Sequence, residues 1–445
     1  MKKRTQILSI IFLSAALIMS GCGLSTTSSA QSYETASEET TYSAESNTSN
    51  STTSNTSNDT EDQFSDRDLE QTADLTDATY LTLENGKDIT ITEEGVYVIS
   101  GTATDSTIKV DADSAKVQLV LDSVTITNSD APAIYVVNAD KVFVTTTSSD
   151  NTLSVTGTFT ADGDTNTDAV IYSKDDITFN GTGTLTITSS ANGISGKDDI
   201  KFTGGTYNIT ATEDAIEAND SIRICDGSFT IKAGKDGLHS EDSDDDSVGY
   251  IYISGGTFDI DAEDDGIQAT TILQINGGTF DINAAEALEA TYVQINDGTI
   301  KIYATDDGIN ASTKSSQYSV LIEINGGNID IEMASGDTDA LDANGDLTIT
   351  GGNLNITAQF AFDFDNTVTF TGGTVTVNGE EVTEITNSMM MGGGGNMGGQ
   401  SGNMGGNGGQ GGNMNGNGGP GGNMNGNSGQ GGNMTPPSGG NGKPQ

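Results

Sequence analysis

The chain of 445 residues has no tryptophan, one histidine (His239), two cysteines, five prolines, and only 17 Lys and Arg against 64 Asp and Glu. Each scarcity excludes something. Cys22 ends an N-terminal apolar segment and Cys225 stands alone in the body, so no intramolecular disulfide can stabilise the mature chain. One thiol and one imidazole also leave no material for a Cys/His zinc site, so any metal must be held by oxygen. The formal charge of −47 makes nucleic acid and anionic membrane surfaces poor partners. No proline lies between Pro132 and Pro420, and so none interrupts a strand ladder there. The apolar run Ile7–Met19 is too short to span a bilayer.

The composition divides the chain into four zones. Lys2, Lys3 and Arg4 precede the apolar run, which closes in "MSGC"; residues 1–22 therefore read as an export signal, and the pattern resembles the bacterial lipoprotein box with Cys22 as the lipid-bearing residue. This predicts an exported, membrane-anchored protein on the bacterial surface, touching the membrane only through that lipid. Residues 23–74 are Ser, Thr, Asn and acid with almost no aliphatics, a composition that cannot bury enough surface to offset its ordering entropy, and are expected to form a disordered linker. Residues 389–445 are Gly, Asn, Met and Gln and are expected to be a disordered tail; Met404, Met414, Met424 and Met434 stand too far apart to converge on a soft metal. The signal carries +3, the linker −10 and the tail +1, which leaves −41 on residues 75–388.

That body is a repeat. Aligned glycines at Gly183, Gly205, Gly227, Gly256, Gly278, Gly298, Gly327, Gly352 and Gly373 recur about every 22 residues, with the longer intervals confined to a few places. Within a unit the apolar residues alternate strictly: Ile251 and Ile253, then Phe258, Ile260 and Ala262. A period of two means strands, and no stretch shows the 3.6-residue period of a helix. One unit reads as an "IxI" strand, a Gly-Gly turn, a "TFxIxA" strand, an acidic bend and a "GIxA" strand. Three short strands and three bends in so few residues make one coil of an all-β parallel solenoid of about ten coils. Tyr207, Phe229, Phe258, Phe280, Ile300, Ile329, Leu354 and Val375 are expected to stack inside it as one column.

The acidic bends are the chemically distinctive element. They place an acid three residues before a second polar residue: Asp214 and Glu217, Asp236 and His239, Asp265 and Gln268, Glu286 and Glu289, Asp307 and Asn310, Asp339 and Asp342. Stacked in register, carboxylates about 5 Å apart repel by roughly 1 kcal/mol in water and several times that near a low-dielectric surface. Divalent cations held by Asp, Glu, Asn and Gln oxygens would offset this, and Ca2+ suits such a donor set best. The competing reading is a solvated acidic face. The insertion "HSEDSDDDSVG" after Leu238 is a weaker candidate because no coil orders it, and the nine-residue calcium-binding repeat is absent.

The segments "GVYVISGTATDSTIKVDAD", "VQLVLDSVTIT", "DAPAIYVVNADKVFV", the "GGTFxIxA" and "DGIxA" repeats and the Gly/Met-rich end together resemble a clostridial family of exported carbohydrate-binding β-helix proteins related in fold to pectate lyases, over about 300 residues. The resemblance implies a right-handed single-stranded parallel β-helix, bound Ca2+, and binding of plant cell-wall polysaccharide, either cellulose or an acidic, pectin-like chain, without catalysis. Tyr250, Tyr252, Tyr292, Tyr303 and Tyr318 are the aromatic side chains available as sugar platforms, with Tyr250, Tyr252 and Tyr303 foremost. A lyase of this fold would need a basic residue beside a cation-held uronate. Arg223, with Lys201 and Lys235, supplies the candidates, and ion pairing to the acidic columns is the plainer role for all three. A rigid surface spacer is the third class compatible with the sequence.

Overall fold

In the sequence "TFDIDA" every second side chain is apolar, so a strand can bury one face and hydrate the other. Thr257–Ala262 does this, with Phe258, Ile260 and Ala262 buried and Thr257, Asp259 and Asp261 exposed. The same alternation holds in Thr279–Ala284, Thr299–Ala304 and Asn328–Met333. A computed structural model of the chain describes residues 63–336 and 338–387. The expectations for Cys22, residues 1–62 and the Met-bearing tail lie outside the described residues. The named elements of the described part are all strands, and the whole is an all-β, solenoid-like stack.

Each repeat contributes to three faces, and on each face successive repeats pair in parallel. The first face links Val117–Leu121, Val142–Thr146, Ile177–Gly181, Ile200–Phe202, Ile222–Ile224 and Ile251–Ile253, and continues to Val368–Phe370. The second carries the column expected from sequence: Tyr207 opposes Phe229, then Phe258, Phe280, Ile300, Ile329, Leu354 and Val375. The third carries the "GIxA" strands from Ile216–Ala218 through Leu238–Ser240, Ile267–Ala269 and Leu288–Ala290 to Leu341–Ala343.

The core is one continuous cluster in which rings stack as well as aliphatics. Phe258 lies 4.8 Å from the Phe229 ring centroid and 4.6 Å from that of Phe280, with the planes within 4° of parallel. Burying such a ring contributes roughly 1.5–3 kcal/mol, with about 0.5–1.5 kcal/mol more for the aromatic pairing. The turn before each ring needs glycine: Gly256 has φ 103°, and a Cβ there would lie 3.1 Å from the Gly227 carbonyl and 3.2 Å from the Phe258 ring. An asparagine ladder lines the same turns, with Asn325 Nδ2 donating to Asn296 Oδ1 (2.9 Å) and Asn296 Nδ2 to Asn276 Oδ1 (2.7 Å).

The last repeat ends in a hairpin, Thr374–Val377 against Glu380–Val382, the antiparallel pairing among the named strands. Its charged outer strand blunts the terminal edge. Early in the chain, residues 63–74 depart from the linker expected of them and lie along the first face. Phe64 (6% exposed) and Asp68 (1%) are buried on the first face, and Gln71 donates to the Thr203 carbonyl (2.8 Å) while accepting from the Gly181 amide (2.9 Å). The composition of this short piece resembles the linker, but a single phenylalanine and two well-placed polar groups are enough to seat it on a surface already built.

Candidate metal centre

Chain geometry places the acids in line. In the bend "AEDDG", Asp265 is followed by Gly266, where a Cβ would come within 2.6 Å of the Ala287 carbonyl; the bare backbone lets adjacent repeats close up. The first acids of the bends then form a ladder through their own backbones. The Asp236 amide donates to Asp214 Oδ1 (3.1 Å), the Asp265 amide to Asp236 Oδ1 (2.8 Å), and the Asp339 amide to Asp307 Oδ1 (3.2 Å). Asn192 begins the ladder by accepting from the Asp214 amide (3.0 Å), a role the sequence reading missed because asparagine there breaks the acidic pattern. The second polar residues are register partners in the order Glu217, His239, Gln268, Glu289, Asn310 and Asp342.

These groups are not a solvated face. Asp265 is 4% exposed and Glu289 6%, with the neutral Asn310 beside them at 7%, so the two carboxyl groups must meet a partner inside the structure or hold a proton. At one end it is met by protein. His239 Nδ1 lies 3.2 Å from Asp214 and 3.4 Å from Asp236, and Nε2 lies 3.2 Å from Glu241. Burial disfavours the imidazolium, but these carboxylates outweigh it and raise the His239 pKa to about 9. Burial likewise pushes Asp214 upward, yet the His239 hydrogen bond and the Asp236 amide prevail and hold it below the usual carboxylate range.

Further along the ladder the acids outnumber their partners. Lys314 Nζ reaches Glu289 at 2.7 Å, from a loop whose Ser315 hydroxyl donates to the Asp246 carbonyl (2.6 Å) in the insertion after Leu238. The two long repeat intervals in the sequence are thus two loops that meet and deliver one lysine. Gln268 donates to both Asp265 and Glu289, and Asn310 Nδ2 to Glu286 (2.8 Å). Against that, burial first and then Asp236, Glu289 and Glu286 raise the Asp265 pKa to about 9. Burial together with Glu289 and Asp307 raises Glu286 to about 7, and burial with Asp342 raises Asp307 to about 7.

Three groups bring ligand atoms within 4.8 Å of one another: Asp214, Asp236 and His239; Asp236, Asp264 and Asp265; and Asp265, Glu286 and Glu289. Of the residues expected from sequence, Asp214, Asp236, Asp265, Glu286 and Glu289 converge in these groups, with Gln268 and Asn310 hydrogen-bonded to the third. Glu217 stands apart, accepting from Ser195 (2.9 Å) and Asn192 (3.1 Å). Asp307, Asp339 and Asp342 continue the ladder outside the three groups. Asp264 was missed, and only its position next to Asp265 in "EDDG" could have suggested it.

The aromatic expectations divide. Tyr252 is fully buried beneath Phe64, ring centroids 6.3 Å apart, and Tyr292 is 2% exposed; neither can serve as a sugar platform. Both alternate as outward residues in sequence; Tyr252 is covered by Phe64 from far along the chain, and Tyr292 donates its hydroxyl to Glu323. Tyr250 is half-buried, donating to Gln274 (2.9 Å). Tyr303 is 41% exposed on the second face and Tyr318 is 38% exposed. The basic candidates do not form one constellation. Lys201 and Arg223 are register neighbours on the first face, 4.0 and 3.3 Å from Asp199, whereas Lys235 sits on an acidic bend, 2.8 Å from Glu213.

A parallel strand stack with an inward-facing apolar column and buried rows of acids defines the molecule as a β-solenoid-like protein with an oxygen-rich candidate cation site. The family profile described as "Carbohydrate-binding domain-containing protein" matches residues 85–292 and 287–394, and the chain belongs to that family. A protein of the same description from Acetivibrio thermocellus is 39% identical over 124 residues, covering 27% of this chain and 43% of that protein. The chain thus spans less than half the length of this relative. The solved structure of a polysaccharide lyase-like protein from C. thermocellum, a gadolinium derivative, is 29% identical, covering 57% of this chain and 89% of that one with a TM-score of 0.42.

Proposed function

We propose that the protein is a non-catalytic, calcium-stabilised binder of plant cell-wall polysaccharide, exported and held at the bacterial cell surface through a lipid on Cys22. In this reading the strand stack is a right-handed parallel β-helix of about ten coils. The observation that carries the calcium component is the buried group Asp265, Glu286 and Glu289, whose carboxylate oxygens lie within 4.8 Å of one another with one lysine to balance them.

The donor set fits a hard cation. All three ligands are carboxylates, and Asn310 Oδ1 is buried without a hydrogen-bond partner among the described residues. Turning the Asn310 amide over would present that oxygen to Glu286 and Glu289 in place of Nδ2. Calcium accepts such irregular oxygen shells. Asp214 and Asp236, by contrast, already have His239 as an internal cation, and this end of the ladder has no need of a metal. Bound calcium would keep Asp265 and Glu286 ionised at neutral pH and hold adjacent repeats together.

Carbohydrate recognition follows from family membership, and an acidic chain is compatible with a body of charge −41 if calcium bridges carboxylate to carboxylate. Tyr303, 41% exposed on the second face, is the aromatic candidate to support a sugar. A lyase would need its base beside the cation; Lys201 and Arg223 lie on the first face, away from the acid groups, whereas Lys235 and Lys314 stand at the bends but are held in ion pairs with Glu213 and Glu289. An array of neutral glucans and pectic polysaccharides, probed with calcium and again with chelator, tests the reading. Retention on one class, with loss of pectic binding in chelator, is expected. Failure to retain any polysaccharide in calcium would refute it, and release of unsaturated uronides would replace binding by lysis.

A further inference from the structure

The first face carries a second constellation that the acidic ladder does not involve. Phe143, Thr178, Lys201, Arg223 and Tyr252 are register partners on consecutive repeats and form one outward strip. Four strand spacings separate its ends, about 19 Å. Lys141 flanks it, with Nζ 5.4 Å from the Phe143 ring centroid. Aromatic rings at both ends and cationic side chains between them would suit a short oligosaccharide bearing carboxylates.

The strip is covered by the chain's own residues 63–71. Phe64 lies against Tyr252 with ring centroids 6.3 Å apart, and the Arg67 guanidinium sits 4.4 Å from the Phe143 ring centroid. Between them Asp68, 1% exposed, places Oδ1 2.7 Å from Lys141 Nζ and 3.0 Å from the Thr178 hydroxyl, while Oδ2 accepts from the amide and hydroxyl of Ser65 (2.9 Å each). Its backbone carbonyl accepts from Thr203.

We infer that the strip of Phe143, Thr178, Lys201, Arg223 and Tyr252, with Lys141, is a binding site for a uronate-bearing oligosaccharide, and that residues 63–71 occupy it as an internal ligand whose Asp68 carboxylate stands where a uronate would bind. Three observations support this. First, the backbone–backbone hydrogen bonds described within the segment close on itself, from Asp68 and Leu69 to Ser65 and from Glu70 to Arg67, and each hydrogen bond described between it and the body has a side chain on at least one side. Such a cover comes away without breaking a strand ladder. Second, its departure would take from Lys141 the carboxylate that pairs with it among the described residues, opening the ammonium to another anion, with Asp176 near enough to balance it only in part. Third, Arg223 Nε is buried with no hydrogen-bond partner among the described residues, and a cleft of about 470 Å3 runs between the segment and Lys116, Lys141, Phe143 and Lys201, with Asp140 and Asp176 also on its wall. The inference rests on the polysaccharide-binding reading only for the kind of molecule that carries the carboxylate.

The test uses the full chain, titrated calorimetrically with oligogalacturonate and with cello-oligosaccharide, both in chelator so that no calcium bridge contributes. Phe64→Ala/Asp68→Ala should bind oligogalacturonate at least ten-fold more tightly than the parent, with no gain for the neutral sugar. Adding Lys141→Gln and Arg223→Gln should abolish the gain. Asp68→Asn, which keeps the shape of the cover, serves as a second variant should the double alanine chain fail to fold, and a gain of several-fold is expected from it. A folded released variant with no gain, or with an equal gain for the neutral sugar, would overturn the inference. Either result leaves the calcium-dependent array of the preceding section to stand or fall on its own.

Discussion

Removing calcium should make stability fall with rising pH, and Glu286 allows the size of the effect to be worked out. Burial, with Glu289 and Asp307, raises its carboxyl pKa from 4.5 to about 7. An acid with a raised pKa favours the folded state below its unfolded value, and that advantage disappears as pH climbs through the folded value. The gap between 4.5 and about 7 corresponds to about 3 kcal/mol, which residual solvent screening reduces to about 2 kcal/mol. The assay is thermal and urea unfolding followed by circular dichroism from pH 4.5 to 8.5, in chelator and in millimolar calcium. In chelator the parent should lose stability across this range, and Glu286→Gln should be the more stable protein at pH 8.5 by about 2 kcal/mol while matching the parent at pH 4.5. In calcium the order should reverse, because the parent gains about 2.7 kcal/mol when the ion is present at a hundred times its dissociation constant and the variant has lost a ligand. Parallel pH profiles for parent and Glu286→Gln in chelator, or an undiminished calcium increment in the variant, would refute the reasoning.

Other substitutions separate the parts of the molecule. His239→Ala leaves Asp214 and Asp236 buried without their imidazolium and should cost about 3 kcal/mol at pH 6 in urea titrations. Because the His239 pKa is raised from 6.5 to about 9, that contribution is complete below pH 6.5 and lost as pH passes through about 9, so parent and variant should converge above it; a constant difference would count against the charge account. Phe258→Ala opens a cavity between two stacked rings and should destabilise by about 3–5 kcal/mol, with no change in calcium affinity measured calorimetrically. Tyr303→Ala should weaken retention on the polysaccharide identified by the array without lowering the melting temperature, whereas Tyr252→Ala should lower the melting temperature; the opposite pattern would remove Tyr303 as a platform.

Much of the architecture was legible because it is written as period. Alternation in "TFDIDA" specifies a strand, the glycine at position 256 specifies a turn that no Cβ would fit, and recurrence near 22 residues specifies stacking of like on like. Register follows, since slipping Phe258 by one residue against Phe229 would turn each apolar side chain to solvent. The rows of acids follow from register as well. Burial was harder to see. Tyr252 and Asp259 both occupy outward positions of strands, but Tyr252 is buried because residues nearly two hundred positions earlier lie over it, and Asp259 is exposed because none of the described residues does.

The balance of charge likewise depends on contacts between distant parts of the chain. Nothing in "HSEDSDDDSVG" or in the loop after Asn310 indicates that the two meet and bring Lys314 to Glu289, nor that a lone histidine falls between Asp214 and Asp236. The sequence by itself determined the strands, their stacking and which residues share a row, because those depend on spacing along one repeat. The tertiary structure decided which acids are neutralised by protein, which are grouped closely enough to offer a cation site, and which face is covered, because electrostatic and packing energies depend on what else occupies the space around a side chain.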